Sequence, residues 1–316
     1  MLRKSGLLTS RLRLPSLLLV LLTTLVLVTT LPAATDITAD QVLGQALFTL
    51  NTANFIDGAG FNFSAGSLGN ITEADGVAVD TNSSPQHLYI ADSLNSRILG
   101  WNNADSFANG QPADLVIGQP DMFHSVCATT QTGLCLPTGV AVDSNGDLYI
   151  ADFENDRVVE YNAPYAAYAG LGDTCTAAAP CQNQLLANLV FGQPSFTTFS
   201  CNRGAGENKP ATNEGLCGPE GVSVNPTTGD LYVADTLNNR VLAFLDPLAS
   251  GGGTPGTSGS AGDTTTDYVF GQTSLIAIDC NQNLSAPTAS TLCLNNFQNF
   301  GGAGGGSEWI RRATYT

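Results

Sequence analysis

One sequence unit is present in three copies, and this repeat constrains the fold more than any other feature. The copies begin at Gly76, Gly139 and Gly221 and read GVAVDTNSSPQHLYIADSLNSRILGW, GVAVDSNGDLYIADFENDRVVEY and GVSVNPTTGDLYVADTLNNRVLAF. Each alternates apolar and polar residues, turns, runs through LYIAD or LYVAD, and turns again before a last apolar run. This pattern predicts three short strands joined as a meander. Side-by-side copies of such a unit bury a shared core.

A second motif supplies a fourth strand for each unit. VLGQ, VIGQ, VFGQ and VFGQ end at Gln45, Gln119, Gln193 and Gln272, spaced 74, 74 and 79 residues apart. Four antiparallel strands per repeated unit are typical of a propeller blade. The content of 34 Gly and 15 Pro with 12% charged residues also favours an all-β chain of short strands and turns.

The pattern GVAVDxxGDLYIADxxNxRVxxY resembles the NHL repeat, and the GQ segment resembles the outer blade strand of that family. The resemblance extends from Gln41 to Gln272 and implies an NHL-type β-propeller. Family members commonly close with about six blades, and any propeller needs at least four. The chain holds about three four-stranded blades. We therefore expect an incomplete or open ring, in which the early VLGQ strand looks like the piece that would complete the last blade.

Each second strand ends on an Asp that is followed by an Asn three residues later and an Arg five residues later. These sets are Asp92, Asn95 and Arg97; Asp152, Asn155 and Arg157; and Asp235, Asn238 and Arg240. The short side chains suit hydrogen bonds to turn amides, and the arginines suit pairing with an Asp of the same or the next blade. Because the set recurs in every copy, we interpret it as blade packing and not as a catalytic site.

The N-terminus predicts export. Four basic residues precede an apolar run from Leu17 to Leu31 and then Pro32-Ala33-Ala34, the order found in secretory signals. We assign 1–34 to a signal peptide and 35–300 to the blades, and we expect a secreted or cell-surface protein. An uncleaved anchor is the alternative, although the run is shorter than the ~20 residues of a spanning helix. No other membrane segment is expected.

Eight cysteines in an exported chain predict four disulfides. Three cysteines fall eight residues after the Gln of a GQ motif, and two fall four residues before the Gly of a GV motif. This register predicts the pairs Cys127 with Cys135, Cys201 with Cys217, Cys280 with Cys293, and Cys175 with Cys181. A zinc site is disfavoured because no CxxC pair occurs.

The net charge limits the classes of partner that the protein is expected to bind. Removal of the signal leaves seven basic residues against 27 acids, a formal charge of −20. Such a surface repels phosphate backbones, so nucleic-acid binding is not expected. We expect a protein, small-molecule or carbohydrate ligand, bound through variable rim loops.

Few residues are candidates for catalysis or for metal binding. Asp80, Asp143 and Asn225 end the innermost strands, where they are candidate ligands for a divalent cation or, more simply, turn-initiating residues. His87 and His124 are the only histidines, so a three-histidine centre is impossible. No cofactor motif is present, and no catalytic residue is assigned. The sequence favours a binding scaffold, and a metal-dependent lactonase- or lyase-like enzyme is the alternative.

The last residues lack the repeat that the register calls for, and we predict that 301–316 is a frameshifted or misread tail. One choice of codons for Ser307 to Thr316, read from its third base, encodes GVDSSGDVY, close to VDSNGDLY from Val142 to Tyr149. The parent protein is then expected to continue into further blades. The nucleotide sequence checks this: codons that encode no repeat in either alternate frame would contradict it.

Overall fold

The computed structural model describes residues 39–49, 58–62, 76–170, 184–251, 253–284 and 286–294. The predicted signal peptide (1–34), the predicted tail (301–316) and the pair Cys175 and Cys181 lie outside the described residues. No helix in the described part of the chain is long and apolar enough to cross a membrane.

Three four-stranded antiparallel sheets form the fold, as the repeat predicts, and each is a blade whose strands follow chain order. Blade 1 contains β1 (Val77–Asp80), β2 (His87–Asp92), β3 (Arg97–Trp101) and β4 (Leu115–Ile117). Blade 2 contains β5 (Pro137–Val142), β6 (Leu148–Asp152), β7 (Arg157–Tyr161) and β8 (Leu189–Phe191), with a short helix α1 (Pro164–Gly170) between β7 and β8. Blade 3 contains β9 (Pro219–Val224), β10 (Leu231–Asp235), β11 (Arg240–Phe244) and β12 (Tyr268–Phe270).

Neighbouring blades pack face to face through their apolar side chains. Tyr89 and Ile98 of blade 1 share one buried cluster with Ile150 of blade 2. A second cluster joins Phe191 of blade 2 to Phe244 of blade 3. The backbones of the innermost strands also approach closely, because the Gly76 amide donates to the Thr138 carbonyl at 2.6 Å. A glycine is therefore needed at this position, where the inner strand of the next blade passes.

The glycine positions show this requirement directly. A Cβ on Gly76 would lie 2.6 Å from the Thr138 carbonyl oxygen, and a Cβ on Gly139 would lie 2.6 Å from that of Glu220. At Gly221, in blade 3, the nearest atom would be 3.5 Å away and belongs to Ala234 of the same blade. The close approach thus occurs at both blade seams and stops at blade 3.

The described blades form an open arc, in agreement with the expectation from blade number. Phe191 of β8 and Phe270 of β12 occupy equivalent register positions. Phe191 is fully buried against blade 3, whereas Phe270 is 48% exposed and its strand neighbour Tyr268 is 57% exposed. The outer strand of blade 3 therefore exposes to solvent the apolar face that the equivalent strand of blade 2 buries.

The prediction of a strand at VLGQ is wrong for the described residues, since Val42 to Gln45 lie outside every named strand. The segment nevertheless packs on blade 1: Leu43 and Phe61 contact the apolar cluster that contains Trp101. A strand forms only where a neighbouring strand accepts its backbone hydrogen bonds.

The repeated Asp, Asn and Arg residues form a buried polar cluster in each blade. Each arginine Nε donates to the carboxylate of its own blade, at 2.6 Å for Arg97 and Asp92, 2.7 Å for Arg157 and Asp152, and 2.6 Å for Arg240 and Asp235. Asn95, Asn155 and Asn238 donate to the same carboxylates. The sequence predicted hydrogen bonds to amides of the turns. Asp152 and Asp235 instead accept hydrogen bonds from the amides of Cys135 and Cys217, which end the linkers that enter the blades.

We predict that Asp152→Ala lowers the free energy of unfolding by about 3–5 kcal/mol, because it leaves the Arg157 guanidinium buried without its carboxylate. Urea denaturation monitored by circular dichroism measures the change. Asp105→Ala removes an exposed carboxylate of the same type and should change stability by less than about 0.5 kcal/mol. A loss below about 1 kcal/mol for Asp152→Ala would contradict this role.

Candidate functional site

The three candidate cation ligands lie at hairpin turns between the first two strands of each blade. One Oδ1 atom in each case accepts backbone amides of its own turn: Asp80 from Asn82 and Ser83, Asp143 from Asn145 and Asp147, and Asn225 from Thr227 and Thr228. Asp, Asn and Ser commonly stabilise turns in this way. The geometry therefore matches the turn-initiating interpretation of these positions.

Potential metal ligands converge elsewhere. Within the described ranges, one group of three such residues has ligand atoms within 4.8 Å of one another: Asp156, Cys201 and Cys217. The two cysteines are joined to each other in a disulfide, so their sulfurs are not thiolate ligands. Neither Asp80 nor Asp143 belongs to this group.

Three of the four predicted disulfides lie in the described residues, and each closes the linker that follows a GQ motif. Cys127–Cys135, Cys201–Cys217 and Cys280–Cys293 have Cα–Cα distances of 4.3, 4.4 and 4.4 Å. The same three linkers supply amides and carbonyls to the buried polar clusters. Arg157, for example, donates to the carbonyls of Thr130 and Gly133 in the Cys127–Cys135 linker region.

A cleft of about 210 Å³ opens between blades 1 and 2, and we call it the seam cleft. It lies between the hairpin turn after β1 and the turn after β5, with α1 on one side. Asn82 bridges the two turns, since its Nδ2 donates to the Asp143 carbonyl at 3.4 Å. The lining residues are Asp80, Asn82, Ser83, His87, Tyr89, Ser144, Asn145, Gly146, Ala163, Tyr165 and Ala166.

Aromatic rings and carboxylates organise the wall of the seam cleft. The rings of His87 and Tyr165 lie 4.2 Å apart, and Tyr165 also lies 5.9 Å from Tyr89. The Tyr165 hydroxyl donates to Asp114 Oδ1 at 2.6 Å. His87 Nδ1 is 3.4 Å from Asp80 Oδ2. Burial lowers the pKa of His87 despite the neighbouring Asp80, so the imidazole is neutral at pH 7.

The sequence repeat did not reveal Tyr165, because this residue lies in the loop between β7 and β8, outside the repeated motifs. The space for it depends on Gly100 of β3, where a Cβ would lie 2.9 Å from the Tyr165 hydroxyl. Glu160 of β7 occupies the equivalent position in blade 2, opposite Tyr149 as Gly100 is opposite Tyr89. Comparison of these positions among the copies was the one available sequence signal that the seams differ.

The seam between blades 2 and 3 contains two carboxyl groups with raised pKa values, the buried Glu160 and the partly buried Asp156. Burial raises the pKa of Glu160 to about 8, with Asp147 and Asp143 adding to the effect. In the described structure neither carboxyl oxygen of Glu160 has a hydrogen-bond partner. Burial likewise raises the pKa of Asp156 to about 8, although its Oδ1 accepts the Gly218 amide at 2.8 Å.

Comparison with known proteins identifies the repeat. The family model described as NHL repeat matches residues 134–161 and 216–244, which contain the three inner strands of blades 2 and 3. Two of the three blades are NHL repeats. No curated protein sequence matches the chain significantly.

Solved structures show a distant likeness to this chain. Kuenenia stuttgartiensis hydrazine synthase is 13% identical over 55% of this chain and 46% of that one, with a TM-score of 0.31. A luciferin-regenerating enzyme is 17% identical over 52% and 38%, with a TM-score of 0.28. A streptogramin B lyase is 8% identical over 55% and 53%, with a TM-score of 0.24. The chain thus aligns with about half or less of each, and these scores are no basis for assigning an activity.

We predict that Asp156→Asn makes stability less dependent on pH. A carboxyl whose pKa is about 8 when folded and 3.8 ordinarily adds stability below pH 4 that is lost as pH rises towards 8. A carboxamide side chain does not titrate in this range. Blade 3 already has Asn239 at the equivalent position, where its side chain accepts the backbone amide of Leu294. Urea unfolding at several pH values should show the variant gaining stability relative to the unmodified protein between pH 4 and 8. A constant difference across that range would contradict the raised pKa.

Proposed function

We propose that this protein is an NHL-type binding scaffold that acts outside the cytosol and holds a small ligand in the seam cleft. The observation that carries the proposal is the cleft itself, where two hairpin turns, a blade-specific helix and a group of aromatic rings meet. Its volume is below the ~300 Å³ at the lower end for drug-sized ligands, so a small molecule or one group of a larger ligand fits.

The surrounding contacts favour binding at this position. The Asp and Arg clusters at the opposite ends of the strands hold each blade to its linkers, so the turns project from a rigid frame. Ser144 and Asn145 are exposed polar residues at the cleft, and Ala166 is exposed on α1. Sites built on rigid elements keep polar groups preorganised for a ligand. Disulfides and the predicted signal peptide support a location outside the cytosol.

A metal-dependent lactonase- or lyase-like activity is the other candidate, and the residue geometry favours it less. Its proposed ligands Asp80, Asp143 and Asn225 belong to three different blades, and each accepts amides of its own turn. The seam cleft contains one buried carboxylate beside a neutral histidine, an arrangement that suits recognition of a polar group.

A thermal-shift screen of the complete protein against small amines, sugars and carboxylates tests the proposal. A ligand at 100 times its Kd stabilises by about 2.7 kcal/mol, or a shift of roughly 5–10 °C for a chain of this size. Ala166→Phe places a ring in the cleft and should abolish the shift. Ala169→Phe, an exposed position on α1 outside the cleft, should preserve it. Ligand shifts that survive Ala166→Phe would contradict binding in the cleft.

A further inference from the structure

We propose that the ligand of the seam cleft is a small organic ammonium ion, with its charge beside Asp80 and its carbon substituents against the aromatic wall. This inference rests on the proposed binding function and names the ligand class. It concerns the blade 1–blade 2 seam, at the turn after β1.

The charge of the cleft selects against anions. Its ionisable lining residues are Asp80, His87, Tyr89 and Tyr165, and no Lys or Arg is among them. Burial lowers the pKa of His87 and raises the pKa of both tyrosines, and Asp80 is the acidic residue of the lining. A second carboxyl group, Asp114, accepts the Tyr165 hydroxyl, and burial raises its pKa. An anion would enter this site against carboxylates without a compensating cation.

One oxygen of Asp80 is positioned to meet a cation. Oδ1 accepts the Asn82 and Ser83 amides, at 2.9 and 3.2 Å, which fixes the carboxylate. Oδ2 faces His87 Nδ1 at 3.4 Å, a long and therefore weak polar contact. On the other side is Gly146, where even a Cβ would lie 3.4 Å from Oδ2. The absence of a side chain on Gly146 therefore leaves an approach to this oxygen.

The rest of the lining suits an alkylated ammonium better than a sugar. The rings of His87 and Tyr89 are both tilted against Tyr165, with centroids 4.2 and 5.9 Å away, so these rings contact one another closely. A sugar usually requires an open ring face on which to stack. The ring edges and the methyl groups of Ala163 and Ala166 supply apolar surface for methyl or methylene groups. The excess of acids over the whole chain also attracts cations towards the surface.

Another copy of the repeat shows how the negative charge of Asp80 can be removed while its turn is kept. Asn225 occupies the position of Asp80 in blade 3 and caps its turn through Oδ1 in the same way. Asp80→Asn therefore removes the charge and retains the acceptor that the turn requires. Asp143→Asn makes the same change one blade further along, at a residue outside the cleft lining, and is the matched control.

Isothermal titration of the complete protein with choline, tetramethylammonium and butylammonium tests the ligand class. The comparison compound is 3,3-dimethylbutan-1-ol, the neutral isostere of choline, and acetate is the anionic probe. We expect at least one ammonium ion to bind, choline to bind about tenfold or more tightly than its isostere, and acetate not to bind. Asp80→Asn should weaken ammonium binding about tenfold or more, and Asp143→Asn by less than about twofold.

The outcomes separate this inference from the proposed function. Equal binding of choline and its isostere, an Asp80→Asn variant that binds normally, or no binding of any ammonium ion would overturn the ammonium assignment. A sugar or other neutral compound whose binding is lost in Ala166→Phe would keep the binding function and reject the ligand class. If no ligand of any class depends on the cleft, both proposals fail.

Discussion

The buried ion pair at the end of each second strand is the interaction on which the rest of the structure depends. An arginine without exposure to solvent is tolerable only when its charge is paired and its other donors are satisfied. Arg157 meets this condition by combining the Asp152 carboxylate with carbonyls from the preceding linker and from Phe196 of the following one. Each blade is thereby joined to the linkers on both of its sides. The disulfides close these same linkers and restrict their motion further.

The two ends of the strands therefore have different roles. The end with the ion pairs has the same contacts in all three blades, so it specifies the fold and leaves little room for variation. The hairpin turns at the opposite end keep a capping oxygen in every copy but differ in their other residues. Gly100 at one seam admits Tyr165 from the neighbouring blade, whereas Glu160 at the next seam fills its own space. Function that requires asymmetry is therefore expected at the turns.

The sequence was sufficient to predict the elements that repeat. Period-two alternation and the GQ spacing predicted the twelve strands of the three blades, together with a strand at VLGQ that is not formed, and the cysteine register predicted three disulfides that the structure contains. The partners of the arginines were not predictable, because most are backbone carbonyls 24 to 39 residues away, and a carbonyl has no residue-specific signature. The seam cleft was missed for a related reason: α1 occurs once, so no repeat pointed to Tyr165.

The two seams also differ in the surroundings of their carboxyl groups. A chain with a large excess of carboxylates repels itself, and each acid that is buried with a proton attached removes one charge from that repulsion. Glu160 and Asp156, both with pKa values raised to about 8, do this at the blade 2–blade 3 seam. At the blade 1–blade 2 seam, Asp114 instead accepts a hydrogen bond from Tyr165, and Asp80 accepts turn amides. Hydrogen-bond donors favour the anionic form of a carboxyl group, although burial still raises the pKa of Asp114 above its usual range. The two seams thus differ in the donors that face their carboxyl groups, and this difference underlies the proposal that the seam cleft, and not the next seam, recognises a cation.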